Sequence, residues 1–500
     1  MKNPNRTRYL LIQSALTVLV IIISGLCWYF SVGFSGDYWY LVWLAPIPVL
    51  VYSLKVKGKM AFIVSFFAYL IGKLSWFSQL IIVAPLVVVV ILTLSIPLIF
   101  ALIVILTRRT VLNTHSWYSI FVFPVFYTVF EFLLINLSSD GTATSIAYSQ
   151  LNVLPIIQIA SITGILGITF LVTYIPSSIA VGWHYRKEKK KVLCIMGVTI
   201  VILISVFLFG MIRINGTSDK NTTNAGLVVL EERLHNITQH PDFEKEKMVA
   251  EYYAKEISDL ALKGVQLVVL PERAINITKE TENDIIGILS NTAKQNNVFI
   301  ILGYTNFRNP KKYNSALVIT SEGSVATDYN KVHLLKGFED RIFTKGSDIG
   351  LFKFHRIQAG VAICKDLDFP DYIRNFGVSK VSFLVTPAWD FVKDDWLHSR
   401  MAVLRCVENG FSMIRTARLG RLTINDYCGR VTSEAKSSDG NKTTLTGKVL
   451  LERINTLYVR FGDWFVIVIA FAAIGFVFQG ILRRRNNKQV KHDSDSEIST

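Results

Sequence analysis

Charge is scarce in this chain, and acidic charge is the scarcer kind. Of its 500 residues 18% are charged, 37 Asp and Glu against 53 Lys and Arg, while 51% are hydrophobic and the mean hydropathy is +0.40. A composition this poor in charge excludes an ordinary soluble protein. Cysteine is also sparse: Cys27, Cys194, Cys364, Cys406 and Cys428 are the full set. Two of them fall in long apolar runs. The other three fall in the polar segment, at spacings that fit no metal site. A Cys406–Cys428 disulfide stays open on sequence alone. No internal repeat is present, which sets repeat architectures aside.

What the chain has in place of charge is long apolar runs. Runs near 9–31, 38–54, 60–80, 83–107, 116–137, 155–182, 192–213 and 463–482 read as eight membrane spans. The second is short and carries Pro46 and Pro48. The first reads as a retained anchor, because Leu26-Cys27 puts a large residue where signal cleavage needs a small one. Basic clusters lie at Lys2-Arg6-Arg8, Lys55-Lys57-Lys59, Arg108-Arg109, Arg186 to Lys191, and Arg483 to Arg485 with Lys488 and Lys491. Eight spans place all five clusters on one side, which the positive-inside rule makes cytoplasmic. Loops around 32–37, 138–154 and 215–460 then lie outside. The net charge of +16 follows from this topology and from contact with anionic lipid, and does not point to nucleic acid. The expected organisation is a membrane domain over 1–214 with about seven helices, an external domain over 217–460, a C-terminal span at 463–482 and a cytoplasmic tail over 483–500.

The external segment alternates strand-like and helix-like patterns, so it reads as one α/β domain. Apolar, β-branched runs predict strands at Ala225–Leu230, Val265–Leu270, Val298–Gly303, Ala316–Thr320, Gly360–Cys364, Val381–Thr386 and Phe411–Arg415. Helical periods fall at Asp242–Leu262, Asn283–Gln295 and Leu397–Glu408. Ser321–Asn330 reads as turn-rich, 433–445 as a mobile surface loop, and 486–500 as a polar, disordered tail.

Three residues in this segment carry chemistry. Glu272 follows Pro271 at the end of one predicted strand, and Cys364 ends another. Lys331 opens Lys331-Val332-His333-Leu334. Each has an ordinary reading: a solvated carboxylate, a small buried hydrophobe, a surface lysine. Brought to one sheet rim, however, a thiol, a carboxylate and an ammonium can run acyl transfer as nucleophile, base and oxyanion partner. The alternation around Lys331 aims His333 to the same face, so His333 is a second candidate base. It ranks below Glu272, as a structural hydrogen-bonding residue.

Leu-Pro-Glu272, Tyr-Asn-Lys331-Val-His-Leu and Ile-Cys364-Lys-Asp resemble, in order and spacing, the Glu-Lys-Cys motifs of the nitrilase, or carbon–nitrogen hydrolase, superfamily. Glu339 matches a second Glu that those enzymes place beside the triad. Pro387-Ala-Trp389-Asp-Phe391, His398 with Arg405 and Glu408, and Gln158 through Phe170 are similar to a membrane branch of that superfamily, the apolipoprotein N-acyltransferases. Ala147 to Gln150 and Pro124 to Glu131 fit the same branch. The resemblance implies a nitrilase-like αββα sandwich inserted in an eight-helix polytopic membrane domain. It also implies transfer of a fatty acyl chain from membrane phospholipid to the N-terminal amine of a diacylglyceryl-cysteine lipoprotein, through a thioester on Cys364. Glu272 would be the base and Lys331 the oxyanion holder. Glu339 and Asp366 would support them, and Trp389 and Phe391, joined by Trp396, would form an apolar lid. No cofactor or metal is implied. The implied setting is a monomer in a bacterial cytoplasmic membrane, with both termini cytoplasmic and the catalytic domain outside. A membrane-tethered amidase with the same triad is the alternative, and a non-catalytic polytopic scaffold the third reading. Lys365-Asp366 stands where the family has Tyr-Glu, Lys336-Gly337-Phe338-Glu339 where it has Pro-Phe-Gly-Glu, and no Trp occurs between 217 and 388.

Overall fold

The computed structural model describes residues 4–32, 34–83, 85–216, 221–235 and 242–497. The expected domain's first residues, 217–220, and the tail's last three, 498–500, lie outside the described residues. Among those described, seven helices are long and apolar enough to cross a membrane: Leu11–Ser31, Gly58–Ile82, Leu86–Thr114, Trp117–Leu137, Ile165–His184, Lys189–Asn215 and Trp464–Arg483.

The span expected at 38–54 is not among the seven. It folds as two short helices, Leu41–Leu44 and Pro46–Ser53, with Ala45 between them. Proline donates no backbone hydrogen bond, so Pro46 and Pro48 interrupt the helical ladder. The segment still runs from end to end of the bundle. Near its start, the Trp43 indole donates to Gln150 Oε1 at 3.0 Å. At its finish, the Arg108 guanidinium donates to the carbonyls of Ser53 and Val56 at 2.9 and 2.8 Å. The run expected at 155–182 is also broken. Leu154–Ile157 and Ala160–Thr163 form two short helices, and the crossing begins at Ile165, after Gly164 at φ +67°.

Residues 221–456 build a four-layer sandwich. Two mixed sheets stack face to face. One runs Thr443–Leu450, Thr222–Val229, Leu267–Val269, Phe299–Phe307, Tyr313–Ile319, Val325–Asn330, with Ile275–Thr278 also paired to Phe299–Phe307. The other runs Val431–Lys436, Arg421–Asn425, Ser412–Arg418, Phe383–Trp389, Ile357–Val361, Gly350–Phe354. Leu227, Val269, Ile301 and Val318 of the first sheet pack against Val361, Val385 and Ile414 of the second. The alternate residues Val228, Val268, Ile300 and Leu317 face outward onto the helices Phe243–Ala261 and Glu282–Asn296. Leu384 and Met413 do the same beneath Pro370–Val378 and Asp395–Asn409. Strands buried on both faces read as continuous apolar runs, which is why they were legible. The expected αββα sandwich is therefore the observed one.

Three local expectations are corrected. Val325–Asn330 is a strand, paired antiparallel with Tyr313–Ile319. The expected loop 433–445 is mostly two edge strands, Val431–Lys436 and Thr443–Leu450, one on each sheet. The expected disordered tail continues the last helix as far as Glu497, since no Gly or Pro interrupts 481–497.

The sandwich sits on the end of the bundle formed by 138–165. Thr142 N donates to Asp368 O at 2.9 Å, Gln158 Nε2 to Cys428 O at 2.8 Å, and Ile165 N to Glu408 Oε1 at 2.8 Å. Trp396, expected in a lid, instead belongs to this junction. It is buried among the bundle residues and closes over Gly36. Cys406 and Cys428 are buried and form no disulfide with each other.

Candidate active site

Glu272 leaves the strand Leu267–Val269 on a turn that bridges the sheets. Leu270 N donates to Ile301 O at 2.8 Å in one sheet, and Glu272 N to Ala388 O at 3.3 Å in the other. The turn lies so close to the neighbouring strand that a Cβ on Gly303 would come 2.3 Å from Pro271 O. Lys331 follows the strand Val325–Asn330, and its N–H donates to Asn314 O at 2.8 Å. Cys364 lies beyond the strand Ile357–Val361 and opens the tight turn Cys364–Asp368 with φ +42°. A side chain in the left-handed region is strained, and such strain concentrates at functional sites. The thiol donates to Trp389 O at 3.6 Å.

These three strand ends meet in one cleft of about 280 Å³, shared with Glu339, Arg273, Phe338, Phe343, Lys365, Trp389, Phe391 and His398 among others. Lys331 Nζ donates to Glu272 Oε1 at 2.7 Å and to Glu339 Oε2 at 2.9 Å. Asn314 Nδ2 donates to both carboxylates, at 2.6 and 2.7 Å. Glu272 and Lys331 are only 2% and 3% exposed, so their charges are set by each other. Burial raises the Glu272 pKa above the usual carboxylate range, with Lys331 pulling it back. Burial opposes the Lys331 charge, but Glu272 and Glu339 outweigh it and hold the ammonium well above its ordinary pKa. Burial also opposes the Glu339 charge, and there Lys331 wins, so Glu339 stays low. The half-buried Cys364 is pushed well up, first by burial and then by the Glu272 charge. Burial thus disfavours the thiolate, and the Glu272 carboxyl lies in the same cleft, so the arrangement can serve a reaction in which a thiol loses its proton to a neighbouring base.

Asp366 ties the nucleophile turn to the lysine segment. Its carboxylate accepts from Ile363 N at 3.0 Å, Val332 N at 3.2 Å, His333 N at 2.8 Å and the Tyr329 hydroxyl at 2.6 Å. His333 Nδ1 lies 3.1 Å from the same carboxylate, and the ring stacks on Phe369. His333 is thus engaged by Asp366 and Phe369 and is not among the residues that line the cleft. Trp389 and Phe391 both line the cleft, and Phe391 is exposed there. His398 joins them, paired with Asp394 at 3.1 Å, which raises its pKa to about 9 although burial works against the charge.

Sequence reasoning missed Asn314, Arg273 and the buried Asp390–Arg415 pair, joined by hydrogen bonds of 3.0 and 2.5 Å. Asn314 is the second residue of the strand Tyr313–Ile319 and carries no motif. Asp390 stood in the Trp389-Asp-Phe391 segment, but its partner comes from a different strand.

Residues 235–456 match the carbon–nitrogen hydrolase family, and residues 15–177 match the apolipoprotein N-acyltransferase N-terminal domain. Both lie in one chain, in the order of sandwich after bundle. The chain belongs to the apolipoprotein N-acyltransferases of the carbon–nitrogen hydrolase superfamily. An apolipoprotein N-acyltransferase of Haemophilus ducreyi is 23% identical over 401 residues, covering 74% of this chain and 76% of that protein. One of Geobacter metallireducens is 24% identical over 379 residues, covering 69% and 70%. The 2-oxoglutaramate amidase of Bacillus subtilis is 26% identical over 145 residues, covering 28% of this chain and 55% of that protein. Among solved structures, a carbon–nitrogen hydrolase from Helicobacter pylori aligns at a TM-score of 0.40 with 19% identity, over 47% of this chain and 91% of that one. The apolipoprotein N-acyltransferase relatives reach into both halves, and this chain is likewise a multi-pass membrane protein.

Proposed function

We propose that this chain transfers a fatty acyl group from a membrane phospholipid to the N-terminal amine of a diacylglyceryl-cysteine lipoprotein, by way of a thioester on Cys364. One observation carries the reading: the Glu272–Lys331–Cys364 cleft opens beside a membrane helix. Within the cleft's loop 390–394, Lys393 Nζ donates to Ser78 Oγ at 2.8 Å, and Asp394 accepts from Gln79 Nε2 at 3.1 Å. Ser78 and Gln79 lie in the last two turns of the helix Gly58–Val83. A lipid ester can therefore reach the thiol without its chains leaving the bilayer, which would cost about 0.8 kcal/mol per CH₂.

Glu272 takes the Cys364 proton as sulfur attacks the ester carbonyl carbon. The Lys331 ammonium faces the oxyanion. The carbon–oxygen bond to glycerol breaks, Glu272 returns the proton to the departing oxygen, and lysophospholipid leaves. The lipoprotein amine then attacks the thioester carbon and gives a proton to Glu272, which passes it to the departing sulfur. Glu339 and Asn314 hold Lys331 and Glu272 in register, and Asp366 holds the Cys364 turn.

The basic residues support an orientation with both termini cytoplasmic and the sandwich outside. Arg108 caps the end of the bundle away from the sandwich, and Arg483 NH1 donates there to Asn113 O at 2.6 Å. With 38–56 counted as a broken crossing, the path makes eight passes across a bacterial cytoplasmic membrane.

The test is intact-protein mass spectrometry after incubation with phospholipid. The expected product is one added acyl mass on the peptide holding Cys364, discharged by a diacylated lipopeptide. An unmodified Cys364, with ammonia released from small amides, would establish the amidase instead.

A further inference from the structure

The cationic groups around the cleft are almost all spoken for. Lys331 holds Glu272 and Glu339. Lys365 holds Asp140 at 2.8 Å, with Asp368 at 3.8 Å. His398 holds Asp394, Arg415 holds Asp390, and Arg418 holds Glu232. Arg273 is different. It lines the cleft directly after Glu272, at φ +51°, and among the described residues it makes no ion pair with a carboxylate. Its Nε donates to Thr305 Oγ1 at 3.4 Å, and its two terminal nitrogens donate to nothing among the described residues. Neither nitrogen is among the buried, unpartnered atoms of the described residues, and the residue lines the cleft.

The guanidinium is nonetheless held in place. It lies over the Phe343 ring at 5.1 Å from the centroid and over the Trp389 ring at 5.4 Å. Arg418 fixes the same Trp389 ring from 4.1 Å and donates to the Arg273 carbonyl at 3.3 Å. A planar cation stacked on aromatic rings keeps its hydrogen-bonding edge free, which suits two oxygens of a phosphate. The Trp389 carbonyl accepts from the Cys364 thiol at 3.6 Å, so one residue, Trp389, contacts both the nucleophile and Arg273. In a glycerophospholipid the ester and the phosphodiester are separated by one glycerol backbone.

We propose that Arg273 binds the phosphodiester of the acyl donor and thereby selects phospholipids over phosphate-free acyl esters. The inference rests on the acyl-transfer reading above. Lys365 is a poorer candidate, because two carboxylates already neutralise it.

The test compares two donors carrying the same acyl chains, phosphatidylglycerol and diacylglycerol, in mixed micelles with the full-length protein. The readout is the initial rate of acyl-mass gain on Cys364. In Arg273→Gln the ratio of the two rates, phospholipid to diacylglycerol, should fall about 10- to 100-fold, the loss expected for hydrogen bonds to a charged group. Arg273→Lys should recover part of that ratio, since a single point charge replaces the fork. An unchanged ratio in Arg273→Gln overturns the proposal, whether both rates fall together or neither falls. Both falling would mean that Arg273 only offsets the charge of Glu272 and Glu339 or supports Trp389. A parent protein acylated by neither donor overturns the acyl-transfer reading itself, and this inference with it.

Discussion

Cys364 sits in a backbone conformation that costs a non-glycine residue on the order of 1–3 kcal/mol, and its thiol is held neutral by burial and by Glu272. Under the proposed mechanism, chemistry at this residue therefore depends on a base that takes its proton. Glu272→Gln should lower the rate of acyl-enzyme formation by about 10²–10⁴-fold, read by mass spectrometry, with the variant still recovered in the membrane fraction. The pH profile carries the sign. Glu272 accepts a proton only as carboxylate, and burial raises its pKa, so the rate should rise with pH along a limb displaced above the usual carboxylate value of 4.5. Lys331, held well above 10.5, should impose no fall across the neutral range. Asp366 gives a separate test. Its two oxygens face four donors from three segments, and an amide would turn one NH₂ toward them. Asp366→Asn should cost about 2–3 kcal/mol in thermal unfolding and remove most acyl-enzyme formation. Glu272, Lys331 and Cys364 were legible because each ends or follows a recognisable pattern. Asn314 and Arg273 were not: Asn314 lies in no motif, and Arg273, though next to Glu272, is a residue type that is ordinarily a solvated surface charge. Only the pairing of distant strands gives them work.

Strands and helices deliver the site, and close backbone approaches set its dimensions. Gly303 is the clearest case. A methyl group there would meet Pro271 O at 2.3 Å and Glu272 Cα at 2.8 Å, and both are backbone that cannot swing away. Gly303→Ala should destabilise the protein by about 1–3 kcal/mol and move Glu272 from Lys331. Calorimetry checks the first, and the acyl-enzyme rate should fall further than stability alone explains. Elements buried on both faces were readable as apolar runs, from Thr222–Val229 to Ser412–Arg418. The edge strands Val325–Asn330, Val431–Lys436 and Thr443–Leu450 were not. Each turns polar side chains outward and earns its place through backbone pairing, which leaves no hydrophobic signature. The same limit hid the break in 38–54: apolar composition marks a crossing, while prolines decide whether one helix makes it.

At the scale of the whole molecule, the sandwich and the bundle share buried charge. Glu408, on the sandwich helix Asp395–Asn409, accepts from Ile165 N at the start of a membrane helix. Arg405 Nη1 lies 3.0 Å from Glu408 Oε2, yet neither atom makes an aligned hydrogen bond among the described residues. Burial therefore outweighs Arg405 and raises the Glu408 pKa from 4.5 to about 7. The folded state then binds this proton more tightly than the unfolded one. The resulting stabilisation is full below pH 4.5 and is lost as pH rises to about 7. The melting temperature of the solubilised protein should fall across that window, and Glu408→Gln should flatten the fall. The sequence by itself determined the apolar runs, the basic clusters between them, the α/β alternation and the three motif residues. Those are properties of local pattern, and local pattern dictates what must be buried and where chains turn. Only the tertiary structure decided that the loop 390–394 beside the cleft meets the helix Gly58–Val83 and that Trp396 seals a junction rather than a lid. It alone left Arg273 in the cleft without a carboxylate partner among the described residues. Such outcomes depend on which distant groups claim each charge and each face, and that is settled by packing.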